Sequence, residues 1–165
     1  MARIVPVPLA VLALLAAGGT SQAAPAHPSD PVAWATVNVC DTPAAPGQVG
    51  MRVGVRGDGR DRRAFARFTA QWYSSARSGW QPVAGTSRSP WVRVGSTIFA
   101  SRQNGWTFGF EPPRQDSFIV RGLVQLQWRA RGRVVREATL VTRRGLPGVD
   151  EADPAGSSRA SCTLG

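Results

Sequence analysis

The chain has 165 residues, with 20 arginines and no lysine against 10 acidic residues, one histidine and two cysteines, for a formal charge of +10. That length fits one domain with a core of useful size. Without lysine there is no Schiff-base or P-loop chemistry, and His27 with two cysteines leaves too little for a zinc site or a catalytic triad.

Arg3 is the sole charge ahead of an uncharged run from Ile4 to Ala17, which small residues follow from Gly18 to Ala26. A positive start, an apolar stretch and a small-x-small site predict a secretory signal peptide over 1–23, cut after Ala23 or Ala26. The apolar run of 14 residues is too short to cross ~30 Å of hydrocarbon. No integral membrane segment is expected after cleavage, and the expected location is secreted, extracellular or in the cell envelope. Residues 24–33 are rich in Pro and Ala and predict a flexible tether holding His27 in solvent.

Beyond the tether, period-two alternation recurs without a 3.6-residue period. Val49, Met51, Val53 and Val55 alternate with Gln48, Gly50, Arg52, Gly54 and Arg56, which predicts one buried and one wet face. Ala66, Phe68, Ala70 and Trp72 form a second inward row, and Trp106, Phe108 and Phe110 alternate before Pro112-Pro113. Val120, Gly122, Val124, Leu126 and Trp128 point one way; Arg121, Leu123, Gln125, Gln127 and Arg129 point the other. Arg131-Gly132 then supplies a two-residue hairpin turn. The pattern predicts strands over 34–40, 48–56, 64–74, 80–84, 104–110, 117–130 and 133–142, with shorter pieces at Trp91–Val94 and Ile98–Ala100.

About seven short strands, frequent turn signals and no repeat predict an all-β fold: a single antiparallel sandwich, with a β-barrel as the alternative. Cys40 and Cys162, in an exported chain, are expected to pair. Residues 143–165 then form a tail that leaves at the end of the sandwich where Cys40 sits and returns through Cys162.

The run Phe68-Thr69-Ala70-Gln71-Trp72-Tyr73 with Gly79-Trp80-Gln81-Pro82-Val83 resembles the central strand pair of immunoglobulin-like and fibronectin type III-like domains. Trp106 to Phe110 and Phe118 to Trp128 are similar to the later strands of such domains, so the resemblance spans residues 34–142. Two features depart from it. Cys40 and Cys162 tie the first strand to the tail instead of bridging the second and sixth strands. Tyr73, the only tyrosine, lies on the third strand, so the tyrosine corner is missing. The whole chain also resembles a family of exported proteins of high-GC bacteria, which implies no activity.

The charge sits in two segments. Residues 52–67 hold six arginines against Asp58 and Asp61, and residues 121–144 hold seven against Glu137; elsewhere seven arginines face seven acids. Loss of Arg3 leaves the mature chain at +9. In the expected topology one pole gathers Arg56, Arg60, Arg62, Arg63, Arg129, Arg131 and Arg133. Gln71, Gln125, Gln127, Arg67 and Arg121 extend it over a sheet face. Guanidinium groups bind carboxylate and phosphate oxygens in bidentate fashion. An anionic wall polymer, acidic polysaccharide or lipid headgroup is the expected partner, with the oligomeric state left open. The bland alternative is a purely structural envelope domain whose arginines only keep wet strand faces soluble. Nucleic acid is not expected, because the protein is exported and its aromatics fall mostly on inward rows.

Arg56-Gly57-Asp58 is the adhesion tripeptide of some fibronectin type III loops, and a tight glycine turn accounts for it equally well. Asp150, Glu151 and Asp153 lack the spacing of a calcium loop and predict a solvated acidic tail near Arg143 and Arg144. A carboxylate pair would have to come from Asp41, Asp58, Asp61, Glu111, Asp116 and Glu137, and no spacing singles one out. The expected function is therefore a non-catalytic binding module without metal or cofactor.

Overall fold

Alternating apolar and polar residues, dense in valine and aromatics, favour extended chain over helix. The structure, a computed structural model, describes residues 32–85, 88–98, 100–111 and 117–165. The signal peptide and nearly all of the tether, His27 included, lie outside the described residues. Within them there is no helix, and nine strands form: β1 (Ala33–Thr42), β2 (Ala45–Arg56), β3 (Arg63–Ser74), β4 (Gly79–Pro82), β5 (Val92–Ser96), β6 (Ser101–Gly109), β7 (Phe118–Ala130), β8 (Arg133–Val141) and β9 (Ser161–Leu164).

Two antiparallel sheets make a sandwich. The smaller has the order β1-β2-β6; the larger has the order β4-β3-β7-β8, with β5 paired to β3 and β9 to β7. β5 and β4 share one edge of β3, at Arg63–Ala66 and Gln71–Ser74 respectively. β8 and β9 share the far edge of β7 in the same way. The strand anticipated near residue 91 is β5. Thr97 and Ile98 form a turn instead of strand, and β6 begins at Ser101.

Between the sheets, Val37, Val49, Met51 and Val53 meet Phe68, Val120, Val124, Leu126 and Trp128, all buried. Inward positions on β3 are kept small by Ala64, Ala66 and Ala70, and on β7 by Gly122, where a Cβ would meet Met51 Sδ at 2.7 Å. Small residues there let the sheets close on each other. The β7–β8 turn has positive φ at both central residues, 49° at Arg131 and 79° at Gly132. That is the conformation a two-residue hairpin needs to match strand twist.

Cys40 and Cys162 are bonded, with Cα atoms 5.3 Å apart and a sequence separation of 122. The bond ties β1 of one sheet to β9 of the other. The tail is more than a return path, because residues 161–164 pair with β7 and Leu164 is fully buried.

The outer face of β2 is not wet, as the alternation suggested. Arg52 is only 6% exposed. Trp34 lies flat over Gly54, where a Cβ would overlap the indole, and the Arg52 side chain crosses Gly105. The tail covers this face. Asn38 Nδ2 donates to the Glu151 carbonyl at 2.8 Å, Gln103 Nε2 donates to the Gly148 carbonyl at 2.7 Å, and the Asp153 amide donates to the Asn38 carbonyl at 2.9 Å. Arg52 pairs with the Glu151 carboxylate, and the Thr42 hydroxyl donates to Asp153. The acidic tail is therefore a strap fixed through Glu151 and Asp153, with Asp150 exposed, rather than an extension facing Arg143 and Arg144. A charge buried as deeply as Arg52 requires such a partner.

Two outcomes follow. Replacing both Cys40 and Cys162 by Ala should lower stability by about 2–4 kcal/mol, since the bond closes a loop of more than 100 residues; an unchanged urea midpoint would count against it. Gly54→Val should cost about 1–3 kcal/mol by overpacking against Trp34. Combining it with Trp34→Ala should cost clearly less than the two single changes summed, because the indole is what the new side chain strikes.

Candidate functional site

Because β3 and β7 run antiparallel in unbroken register, the residue pairs facing away from the core are Arg63–Arg129, Phe65–Gln127, Arg67–Gln125, Thr69–Leu123 and Gln71–Arg121. The first pair places two guanidiniums directly across the sheet, where like charges repel. The β7–β8 turn then adds Arg131. Arg63, Arg129 and Arg131 line a cleft of about 320 Å³ together with Asp61, Phe65 and Gly132. Among the described residues the ion pairs are Arg52–Glu151 and Arg62–Asp58, so none of the three cleft arginines is paired with an acid.

The Arg129 guanidinium is held in place. Its carbon lies 4.4 Å from the Phe65 ring centroid, and its Nη2 and Nε donate to Gln127 Oε1 at 2.6 and 3.1 Å. Gln127 in turn donates to Glu137 Oε1 at 2.7 Å. Guanidiniums fixed in this way present forked donors suited to carboxylate, sulfate or phosphate oxygens.

The other four arginines expected at this pole lie at the same end of the sandwich but do not line the cleft. Arg56 is exposed at the end of β2, Arg60 lies in the β2–β3 loop, and Arg133 opens β8 opposite Ala130. Arg62 is turned onto Asp58, with its Nη1 3.5 Å from the carboxylate. The Arg56-Gly57-Asp58 tripeptide is tied down. The Gly57 amide donates to the Ala100 carbonyl at 2.9 Å, the Asp58 amide to the Thr97 carbonyl at 3.0 Å, and Asp58 Oδ1 accepts from the Arg60 amide at 3.1 Å. Desolvation pushes the Asp58 carboxyl upward. The Arg60 amide, the Thr97 hydroxyl and the charges of Arg62 and Arg60 outweigh it and hold the group below the ordinary aspartate range.

Phe68, Phe108 and Trp128 are buried, Phe110 and Phe118 pack against the core, and Trp106 lies opposite the inward Met51. Trp72 has inward parity but is 38% exposed, because it lies at the end of β3. Several rings instead decorate the outer face of the larger sheet under arginines. Arg121 lies 4.3 Å above Trp80, Arg67 lies 4.4 Å above Trp91, and Arg129 lies 5.4 Å from Trp91. The half-buried residues on the outer parity of β3, Phe65 and Arg67, were the available signal: an aromatic alternating with arginine on a strand.

The carboxylates are dispersed. Asp41 accepts from the Gly47 amide at 2.7 Å in the β1–β2 turn, Asp58 and Glu137 have the partners given above, and Asp116 is outside the described residues. Among the described residues no group of three or more His, Cys, Asp or Glu is placed to hold a metal ion, and no helix is long and apolar enough to cross a membrane. A more apolar groove of about 650 Å³ at the opposite end lies between Trp72, Tyr73, Val83, Phe118 and Ile119. No protein-family model matches the chain, and no curated protein matches it.

Asp58 supplies a prediction. Its folded-state pKa lies below the unfolded value, so its contribution to stability is present above the unfolded pKa and is lost as pH falls through the folded one. Asp58→Asn should therefore be less stable than the parent at pH 7 and equal to it in strong acid. Urea titrations across that range should converge; a pH-independent gap would refute the assignment.

Proposed function

We propose that the chain is an exported, non-catalytic immunoglobulin-like or fibronectin type III-like module that binds anionic polymers through the arginine cleft. Several features support the module type. With β4 and β5 counted as excursions from β3, the sheets β1-β2-β6 and β3-β7-β8 correspond to the A-B-E and C-F-G strands of such sandwiches. Export is supported by the signal-like N-terminus and by the Cys40–Cys162 bond, which persists in oxidising compartments.

The observation that carries the binding reading is the register pair Arg63–Arg129 with Arg131 beside it. Two like charges directly opposite destabilise a sheet, and an anion between them removes that cost. Lone arginines scattered for solubility would not need this arrangement. The ligand class is a polymer bearing carboxylate, sulfate or phosphate groups, found in the envelope or outside the cell. A structural envelope domain without a ligand remains the competing reading, and the two differ in one measurement.

A triple variant with Arg63, Arg129 and Arg131 replaced by Gln should elute from immobilised heparin at clearly lower salt than a control triple with Arg77, Arg144 and Arg159 replaced by Gln. Both lose three charges, and thermal melts establish that both are folded. Equal elution would make retention a matter of net charge alone and would sink the cleft as a site.

A further inference from the structure

The tail covers the outer face of the smaller sheet, whereas among the described residues nothing covers the outer face of the larger sheet in this way. Across that open face stand Arg63, Arg67 and Arg129, then Arg121, with Arg93 opposite Phe65 and Arg88 opposite Thr69 on the flanking edge. Glu137, opposite Gln127 on β8, shares the face, and Asp61 lines the cleft at its end. We propose that this face is a track for a linear acidic polysaccharide, anchored in the arginine cleft and running along β3 and β7 toward Trp80. The proposal rests on the cleft reading and names its ligand.

Three observations select this occupant. First, the guanidiniums recur along the strands. Arg63, Arg67 and the Gln71–Arg121 pair are each four residues apart, which at ~3.4 Å per residue spaces their backbone positions by roughly 14 Å, although the Arg67 guanidinium leans toward the cleft and shares the Trp91 ring with Arg129. A compact anion would meet one of these positions; a chain bearing acid groups at intervals meets them in succession. Second, glutamines alternate with the charges. Arg121 Nε donates to Gln71 Oε1 at 3.0 Å and Arg88 Nη2 donates to Gln125 Oε1 at 2.9 Å, which leaves both amide NH2 groups free to donate to sugar hydroxyls. Third, most rings of the face are already covered. Trp80, Trp91 and Phe65 each lie under a guanidinium, which leaves Tyr73 beside Trp80 and no succession of open rings for nucleic-acid bases to stack on. Arg67 also carries a buried Nε without a partner, so its orientation is set by the Trp91 ring and not by an acid.

The test uses the whole mature protein and uronic acid oligomers of one to eight units, titrated by calorimetry at fixed salt. Affinity should rise at least tenfold between the dimer and the octamer. The Arg67→Gln, Arg121→Gln double variant should lose that rise while binding the dimer as the parent does. The variant with Arg63 and Arg129 replaced by Gln should lose both. Should the double variant keep the full length dependence, the track is wrong and the cleft stands; should the cleft variant bind like the parent, the cleft reading fails with it. Because Arg67 and Arg121 also pack on rings, the unmodified protein provides a second readout. Side-chain amide resonances of Gln71 and Gln125 should shift with octamer and not with monomer, and unmoved resonances at saturation would overturn the track. Tighter binding of single-stranded DNA, polyphosphate or anionic vesicles than of the octamer at equal salt would likewise overturn the choice of polysaccharide.

Discussion

The ladder between β3 and β7 decides the rest of the molecule. It runs without a register break from Arg63–Arg129 to Trp72–Val120. Side chains on a strand alternate faces, so one parity sends Ala64, Ala66, Phe68 and Ala70 inward with Val120, Val124, Leu126 and Trp128. The other parity sends Phe65, Arg67, Gln71, Arg121, Gln125 and Arg129 outward. A slip of one residue in either strand would carry arginines into the core, at several kcal/mol for each unpaired charge. The apolar core and the basic face are thus one decision, and the opposed arginines at the pole follow from it.

The smaller sheet lacks that clean division. β2 is buried on both sides because the C-terminal strap lies over it, and Arg52 is the consequence. Its guanidinium reaches across Gly105 to Glu151, while Asn38 holds the strap's carbonyl. The disulfide and β9 then fasten the end of the strap to the larger sheet. Among the described residues the covering is one-sided: of the two outer faces, the one they leave open is the one on which the arginines lie over rings.

Local chemistry explains what could be read from the amino acids. The parity of β7 and the turn at Arg131-Gly132 depend on residues near each other in the chain, and both match the structure. Pairing of the only two cysteines needed no geometry. Arg52 looked wet because it alternates with Met51 and Val53, yet the glycines that share its row, Gly50 and Gly54, also mark close approach by something else. Here that something is Trp34 and a segment about 100 residues later. Trp72 had the right parity, but where the inward row runs out from under the opposite sheet is set by the relative lengths of strands far apart in sequence. The rings Trp80 and Trp91 flank β3 on its edge: Trp80 pairs with Tyr73 within β4, and Trp91 immediately precedes β5, whose Arg93 pairs with Phe65. No period exists in four or five residues to reveal their placement.

The placement of arginines on rings separates two roles for the same contact. Arg136 lies 4.8 Å from Trp128 on the inward parity of the edge strand β8. There it lids the core, and an inward-pointing charge on an exposed edge discourages pairing with another chain. Arg67, Arg121 and Arg129 cover rings that already lie outside the core. Stacking contributes about 0.5–2 kcal/mol at such half-buried sites, and each held arginine gives up rotamer freedom of similar size. Stability alone therefore gains little from these three contacts. What they do accomplish is orientation: the guanidinium planes are fixed before any ligand arrives, which removes about 0.5–1.5 kcal/mol of ordering cost for each arginine that binding would otherwise have to immobilise.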